Sequence, residues 1–177
     1  RGRLYEERCR CGGDFVKLES GKKACNRCGR KPPMKYLHSK GFKRNVFLYG
    51  EHFLGSSKGS NIYVVEGHLD ALMMWQCGYR PVVATLGTNV GASQVERLIK
   101  FSFSQKMAMR SVIVVHDGDE AGRKMGVTIK KMVAGRVPVF TRDPGDGNDP
   151  ASMLDHERRD LLGEPWGKKV DNQLIMV

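Results

Sequence analysis

The chain has 177 residues and carries 30 Lys and Arg against 19 Asp and Glu, a formal net charge of +11 with a pI near 9.6. That length suits one ordinary domain with a small appendage and excludes a second large one, because domains commonly run to about 100–200 residues. No apolar run reaches the roughly 18–20 residues of a membrane span and no charged-then-apolar leader opens the chain, so a soluble, cytoplasmic protein with no membrane partner is expected; its basic excess suits a polyanion or is simply solvated surface.

Residues 1–33 are basic, glycine-containing and poor in long apolar periods, so they bury little by themselves. Four of the five cysteines lie here, in CRCGG (Cys9, Cys11) and CNRCGR (Cys25, Cys28). Each pair is followed by Gly, and a small residue there lets backbone N–H groups face the sulfurs, as in zinc knuckles. Four thiolates satisfy a structural tetrahedral Zn²⁺ site. The first pair is C-x-C rather than C-x-x-C, free structural thiols are the alternative, and His38 is a spare candidate ligand. Residues 34–60, MKYLHSKGFKRNVFLYGEHFLGSSKGS, interleave aromatics with Lys and Arg and predict a connecting segment of short strands or helices.

From Asn61 the pattern becomes regular. NIYVVEG predicts a buried strand, HLDALMMWQCG a helix ending at Gly78, and PVVATLG a second strand. SQVERLIKFSF predicts a helix with Ser93 as N-cap, and SVIVVHD a third strand. DEAGRKMGVTIKKMV reads as a helix, VPVFTRD as a fourth strand, and ASMLDHERRDLLG as a last helix before a tail at 164–177. Alternating strands and helices predict an α/β fold: a mostly parallel four-stranded sheet with helices on both faces. Cys77, beside Met73, Met74 and Trp75, reads as core.

The acidic residues run against the composition. In a parallel sheet, ligands gather at the carboxyl ends of strands. Glu66 falls at the end of the first strand, with Asp70 four residues on in the next helix. Asp117 ends the third strand, and Asp119 follows across Gly118. Taken singly, any of these acids could serve a helix dipole or a cap, and Glu120 reads as such a helix-start acid. Taken together they repel one another unless a cation sits among them, and hard oxygen donors favour Mg²⁺ or Mn²⁺. A divalent pair held this way serves phosphoryl or nucleotidyl transfer.

VVEGHLDALMMWQCG, VVATLGTNV and VIVVHDGDEAGRKM together resemble the Toprim domain, with its E-G-x-x-D junction and later D-x-D. ATLGT and DGDEAG resemble the DnaG-type primases of bacteria and phages, and MKYLHSKGFKRNVFLYG is similar to the stretch that precedes Toprim in them. The resemblance covers roughly residues 33 to 155. It implies a Toprim catalytic domain at 61–163, Glu66 as an acid/base or metal-adjacent residue, and Asp117 and Asp119 as ligands of Mg²⁺ or Mn²⁺, with Asp70 in support and Asp70 and Asp149 counted in the same metal site. It adds Asp149 as a further acid, with Ala151 standing where a second Asp is usual. It assigns Lys35, Lys43 and Arg44 to nucleotide or template contacts, with solvated surface as the alternative. The turn with Gly87 and Thr88 can bring backbone to phosphate, although Gly87 equally serves a tight turn. The cysteine region does not resemble the separate zinc module of the primases and reads as an insertion.

The function implied is a DNA primase module that makes short RNA primers on single-stranded DNA from ribonucleoside triphosphates, beside a replicative helicase, in a bacterium or a phage-infected host. Alternatives are a Toprim-type nuclease using water as nucleophile and a non-catalytic RecR-like recombination mediator. A type IA topoisomerase fits less well than either, since its large tyrosine-bearing domains exceed this length.

Overall fold

The computed structural model describes residues 8–20, 22–32, 39–55, 59–103 and 111–165. Lys35 and His38 lie outside them. The chain divides into two compact units, Arg1–Phe42 and Lys43–Val177.

In the first unit two three-residue strands, β1 (Phe15–Lys17) and β2 (Lys23–Cys25), pair antiparallel with Phe15 opposite Cys25. Sequence patterning did not anticipate this hairpin, because such short strands carry too few apolar residues to alternate visibly. Its residues 9–13 and 25–29 make tight turns. The N–H of Gly12 donates to Cys9 O at 2.7 Å and that of Gly29 to Cys25 O at 2.9 Å.

The second unit holds β3 (Asn61–Val65), α1 (His68–Gln76), β4 (Val82–Ala84), α2 (Ala92–Phe103), β5 (Ser111–Val115), α3 (Glu120–Val133), β6 (Val139–Arg142) and α4 (Asp155–Leu162). The four strands are all parallel in the order β4-β3-β5-β6. The strands read as continuous apolar runs because both faces are covered. Ile62, Val64, Val112 and Val114 face one core with Val95, Leu98 and Ile99 of α2 and Met125, Ile129 and Val133 of α3. The alternate residues Tyr63, Val65, Ile113 and Val115 face the other with Ala71 and Met74 of α1, Cys77, and Leu161 and Leu162 of α4.

The outer edge of β4 is closed by the connecting segment. Tyr49 and Ala84 exchange N–H···O bonds of 2.9 and 3.0 Å, which occupies an edge otherwise open to pairing with another chain. A short 3-10 turn, Glu51–Phe53, follows.

Two helix starts differ from the sequence reading. Helix α2 begins at Ala92, so Ser93 lies inside its first turn. The backbone N–H of Gly91 is instead met by the side chain of Gln94 at 3.0 Å. Only glycine fits at 91, since a Cβ there would come within 2.1 Å of Asn45 O. Helix α4 begins at Asp155 rather than near Ala151. Asp149 and Ser152 bond reciprocally, Ser152 N to Asp149 Oδ1 at 2.7 Å and Asp149 N to Ser152 Oγ at 3.0 Å, and that local turn holds the chain out of helix.

Candidate active site

Strands β3 and β5 are neighbours in space, yet the chain leaves β3 toward β4 on one side and leaves β5 toward β6 on the other. Their carboxyl ends form the switch point of the sheet, where open α/β sheets place ligands. Val64 pairs with Val114 in register, so two residues on Glu66 stands beside His116 and next to Asp117. Chain topology, rather than nearness in sequence, brings the two acids together.

Asp117 feels the whole cluster. Burial raises its carboxyl to about 7, followed by the charges of Glu66, Asp70, Asp149 and Asp119. Its Oδ1 is buried and has no hydrogen-bond partner among the described residues. A buried carboxylate oxygen without a donor is costly, and a bound cation would satisfy it. The hard-oxygen donor set fits Mg²⁺ or Mn²⁺ in the same way. Among the described residues, however, the acids do not draw their oxygens as close as the four cysteines do.

The other acids have local duties as well. Asp119 caps α3, its Oδ1 accepting from Gly122 N at 2.7 Å. Asp70 accepts from Gly67 N at 3.1 Å through Oδ2 and from Ala151 N at 3.2 Å through Oδ1. It thus pins the start of α1 to the loop after β6, and both its oxygens are already engaged by backbone.

That loop brings Asp149 to the site by bonds on either side of it. Gly118 N donates to Asn148 O at 2.8 Å and Gly147 N to Gly118 O at 3.0 Å. The buried Arg158 donates to Pro150 O at 2.8 Å, and Ala151 N is the donor to Asp70. Gly118 must lack a side chain, since a Cβ would sit 1.8 Å from Gly145 O. Arg123 of α3 fastens the same loop from outside through ion pairs to Asp143, at 2.9 Å, and Asp146.

On the β4 side, the turn after the strand is strained: Leu86 adopts φ 62° and Gly87 φ 130°. Gly87 N donates to Glu66 O at 3.2 Å, which ties this turn directly to the acid. The hydroxyl of buried Thr85 donates to Gly87 O at 2.9 Å. Arg44 is exposed, and its guanidinium donates to Leu86 O at 3.4 Å. Arg44, Gly87 and Glu66 therefore form one continuous run into the carboxylate cluster. Thr88 is half-buried in that turn, and Lys43 is exposed beside Arg44.

The cysteines form a separate centre in the first unit. Sγ of Cys9 lies 3.5 Å from that of Cys28, and Cys11 and Cys25 are equally close. All four sulfurs fall within 4.8 Å of one another and can hold a metal ion. Against burial, which raises it, the backbone N–H groups of Arg27 and Cys28 and the thiols of Cys11 and Cys28 hold the Cys25 thiol down to about 6. The first of these N–H groups sits 3.4 Å from the sulfur. A Cβ on Gly13 would meet that sulfur at 2.7 Å, so the glycine makes room for the cluster.

Residues 60–140 match the model of the Toprim domain family. The chain is 37% identical over 136 residues to a DNA primase of Rickettsia prowazekii, an alignment covering 73% of this chain and 22% of that protein. A crystal structure of a DNA primase domain from Pseudomonas aeruginosa matches with a TM-score of 0.58 and 25% identity, over 82% of this chain and 46% of that one. A DnaG primase catalytic domain bound to ssDNA shares the fold, with a TM-score of 0.56 and 21% identity over 84% of this chain and 48% of that one. The chain thus spans about a fifth of the length of the full primase it matches. On these matches residues 60–140 are a Toprim domain of the kind carried by DnaG-type DNA primases.

Proposed function

We propose that the chain is the catalytic module of a DNA primase, joining ribonucleotides on a single-stranded DNA template. The observation that carries this reading is Asp117, which has a buried oxygen without a donor among the described residues and a carboxyl raised by burial and by the charges of Glu66, Asp70, Asp149 and Asp119. Bound Mg²⁺ or Mn²⁺ would stabilise the attacking and leaving oxygens of nucleotidyl transfer. Asp117, Asp119 and Asp149 are the residues to hold it. Glu66, at the neighbouring strand end, takes the proton of the attacking 3′-hydroxyl or orients that hydroxyl. Asp70 keeps α1 and the 149–151 turn in register with it. Arg44, Lys43 and the Gly87–Thr88 turn receive phosphate groups; Lys35, assigned to nucleotide or template contacts from the sequence, lies outside the described residues. The excess positive charge supports a polyanionic template, and a similar primase domain is one bound to single-stranded DNA. In this reading residues 1–33 are a zinc-binding region, 34–60 a primase-like connection and 61–163 the catalytic domain. A replicative helicase is the natural partner of such a module.

Incubation with single-stranded DNA, labelled ribonucleotides and Mg²⁺ or Mn²⁺ tests the reading, with Glu66→Gln beside the wild type. A metal-dependent oligoribonucleotide is expected from the wild type, reduced at least about 100-fold in the variant. Absence of product, or equal product from both, overturns it. DNA cleavage in place of synthesis would mark a nuclease.

The four-cysteine centre suits Zn²⁺, because four soft thiolates close a tetrahedral structural site. One Zn²⁺ per chain is expected by metal analysis. Cys11→Ser is expected to lower affinity enough for a chelator to strip the ion, with loss of the β1–β2 hairpin from the NMR or circular dichroism signal. Zinc well below one per chain in the wild type would refute it.

A further inference from the structure

Gln94 is wholly buried, and none of the motifs that mark the site includes it. Its Nε2 lies 3.0 Å from Arg44 O, 2.7 Å from Phe47 O and 2.9 Å from Thr85 O, while its Oε1 accepts from Gly91 N at 3.0 Å. One primary amide thus joins three separate pieces of chain: the basic segment 44–47, the end of β4 where the strained turn begins, and the start of α2. An amide carries two N–H donors and an acceptor on one planar group, which neither a carboxylate, an ammonium nor a hydrocarbon can copy. With three carbonyls around two N–H groups, one donor is shared.

The next turn of α2 repeats the grip from outside. Arg97 donates through Nε to Val46 O at 3.1 Å, pairs with Glu51 at 2.8 Å and stacks over Phe47, 5.1 Å from its ring centre. The close approach of Asn45 O to Gly91 leaves no slack between segment and helix. Beyond this clasp, the Arg44 guanidinium lies against Leu86 and Gly87, and Gly87 N is bonded to Glu66 O.

We propose that Gln94 is a positioning residue that locks Arg44 and the Leu86–Thr88 turn into one rigid anion-binding element at the edge of the carboxylate site. Its ligand class is the phosphate chain of a nucleoside triphosphate. The inference rests on the primase reading for the source of that phosphate. Gln94 touches no ligand itself and acts through Arg44.

The test compares wild type, Gln94→Met, Arg44→Ala and the double variant. KM and kcat for ribonucleoside triphosphate are read in primer synthesis, and equilibrium binding of ATP with Mg²⁺ is read without template. Gln94→Met is expected to raise KM and weaken ATP binding about tenfold with little change in kcat, because it loosens placement and leaves the chemistry intact. In the Arg44→Ala background the same change is expected to add nothing further, as for two residues acting as a unit. Simple additivity of the two losses, or a fall in kcat at unchanged KM, overturns the proposal. Should Gln94→Met fail to fold, Arg97→Met loosens the same segment from a half-exposed position and is expected to raise KM about threefold, again only when Arg44 is present. Unchanged KM in that variant overturns the proposal equally. A wild type that binds ATP but makes no oligoribonucleotide defeats the primase reading alone, and the ATP-binding cycle still decides the role of Gln94. A wild type that does not bind ATP defeats this inference.

Discussion

Asp117→Asn is expected to abolish metal-dependent synthesis, by at least about 1,000-fold, while making the metal-free protein more stable at pH 8. The two effects have one cause. Burial and the charges of Glu66, Asp70, Asp149 and Asp119 lift the Asp117 carboxyl from 3.8 to about 7. Between about pH 4 and pH 7 the folded protein therefore keeps a proton that the unfolded chain has released. Stability falls as pH rises through that window and levels off above it. Solvent screening of this half-buried group limits the loss to about 2 kcal/mol. Asparagine removes the charge, so with a chelator present the variant should melt several degrees above the wild type at pH 8 and alike at pH 4. Added Mg²⁺ should raise the wild-type Tm and leave the variant unmoved, since only the carboxylate gains a partner. Thermal melts at the two pH values, with and without Mg²⁺, check this. A variant less stable than wild type at pH 8 in chelator would mean that the cluster is not strained by its own charge.

Gly118→Ala is expected to cost about 3 kcal/mol and to lower synthesis at least about 100-fold. The added methyl group would lie 1.8 Å from the backbone oxygen of Gly145, so the loop after β6 must move. That movement breaks the bonds from Gly118 N to Asn148 O and from Gly147 N to Gly118 O, and it withdraws Asp149 from Asp117. Gly55→Ala is the matched control: nothing lies within 4 Å of its Cβ position, and neither activity nor Tm should change. Urea melts and the primer assay on both variants decide the matter. A Gly118→Ala protein of normal stability and activity would show that the two loops are not held together as the structure has them.

Much of this was legible in the residues themselves. The four parallel strands follow from short apolar runs separated by helical periods, and the acids at two strand ends stand out against a basic composition. The spacing of Glu66 and Asp70 was equally plain, as was that of Asp117 and Asp119. Those features are local, and local pattern is what side-chain periodicity encodes. The cysteine centre was visible because its members come in pairs a few residues apart.

What escaped were the joints between distant pieces of chain. The start of α2 lies two residues before the one that a Ser93 N-cap implies, since Gly91 looks like an ordinary turn residue until Asn45 is seen against it. The beginning of α4 was set too early, because the bonds between Asp149 and Ser152 outweigh helix propensity locally. Gln94 gave no signal at all, as a polar residue at a helix start is unremarkable until three carbonyls surround it.

The sequence by itself determined the fold class, the identity of the acids and which four cysteines cluster, because each depends on residue type and short spacing. Only the tertiary structure decided which acid is buried without a donor, that Asp70 spends both oxygens on backbone, and that Asp149 is delivered by the grip of Gly118 and Arg158 on its neighbours. Those are matters of which strands lie side by side and how closely two backbones approach, set by packing between residues tens of positions apart.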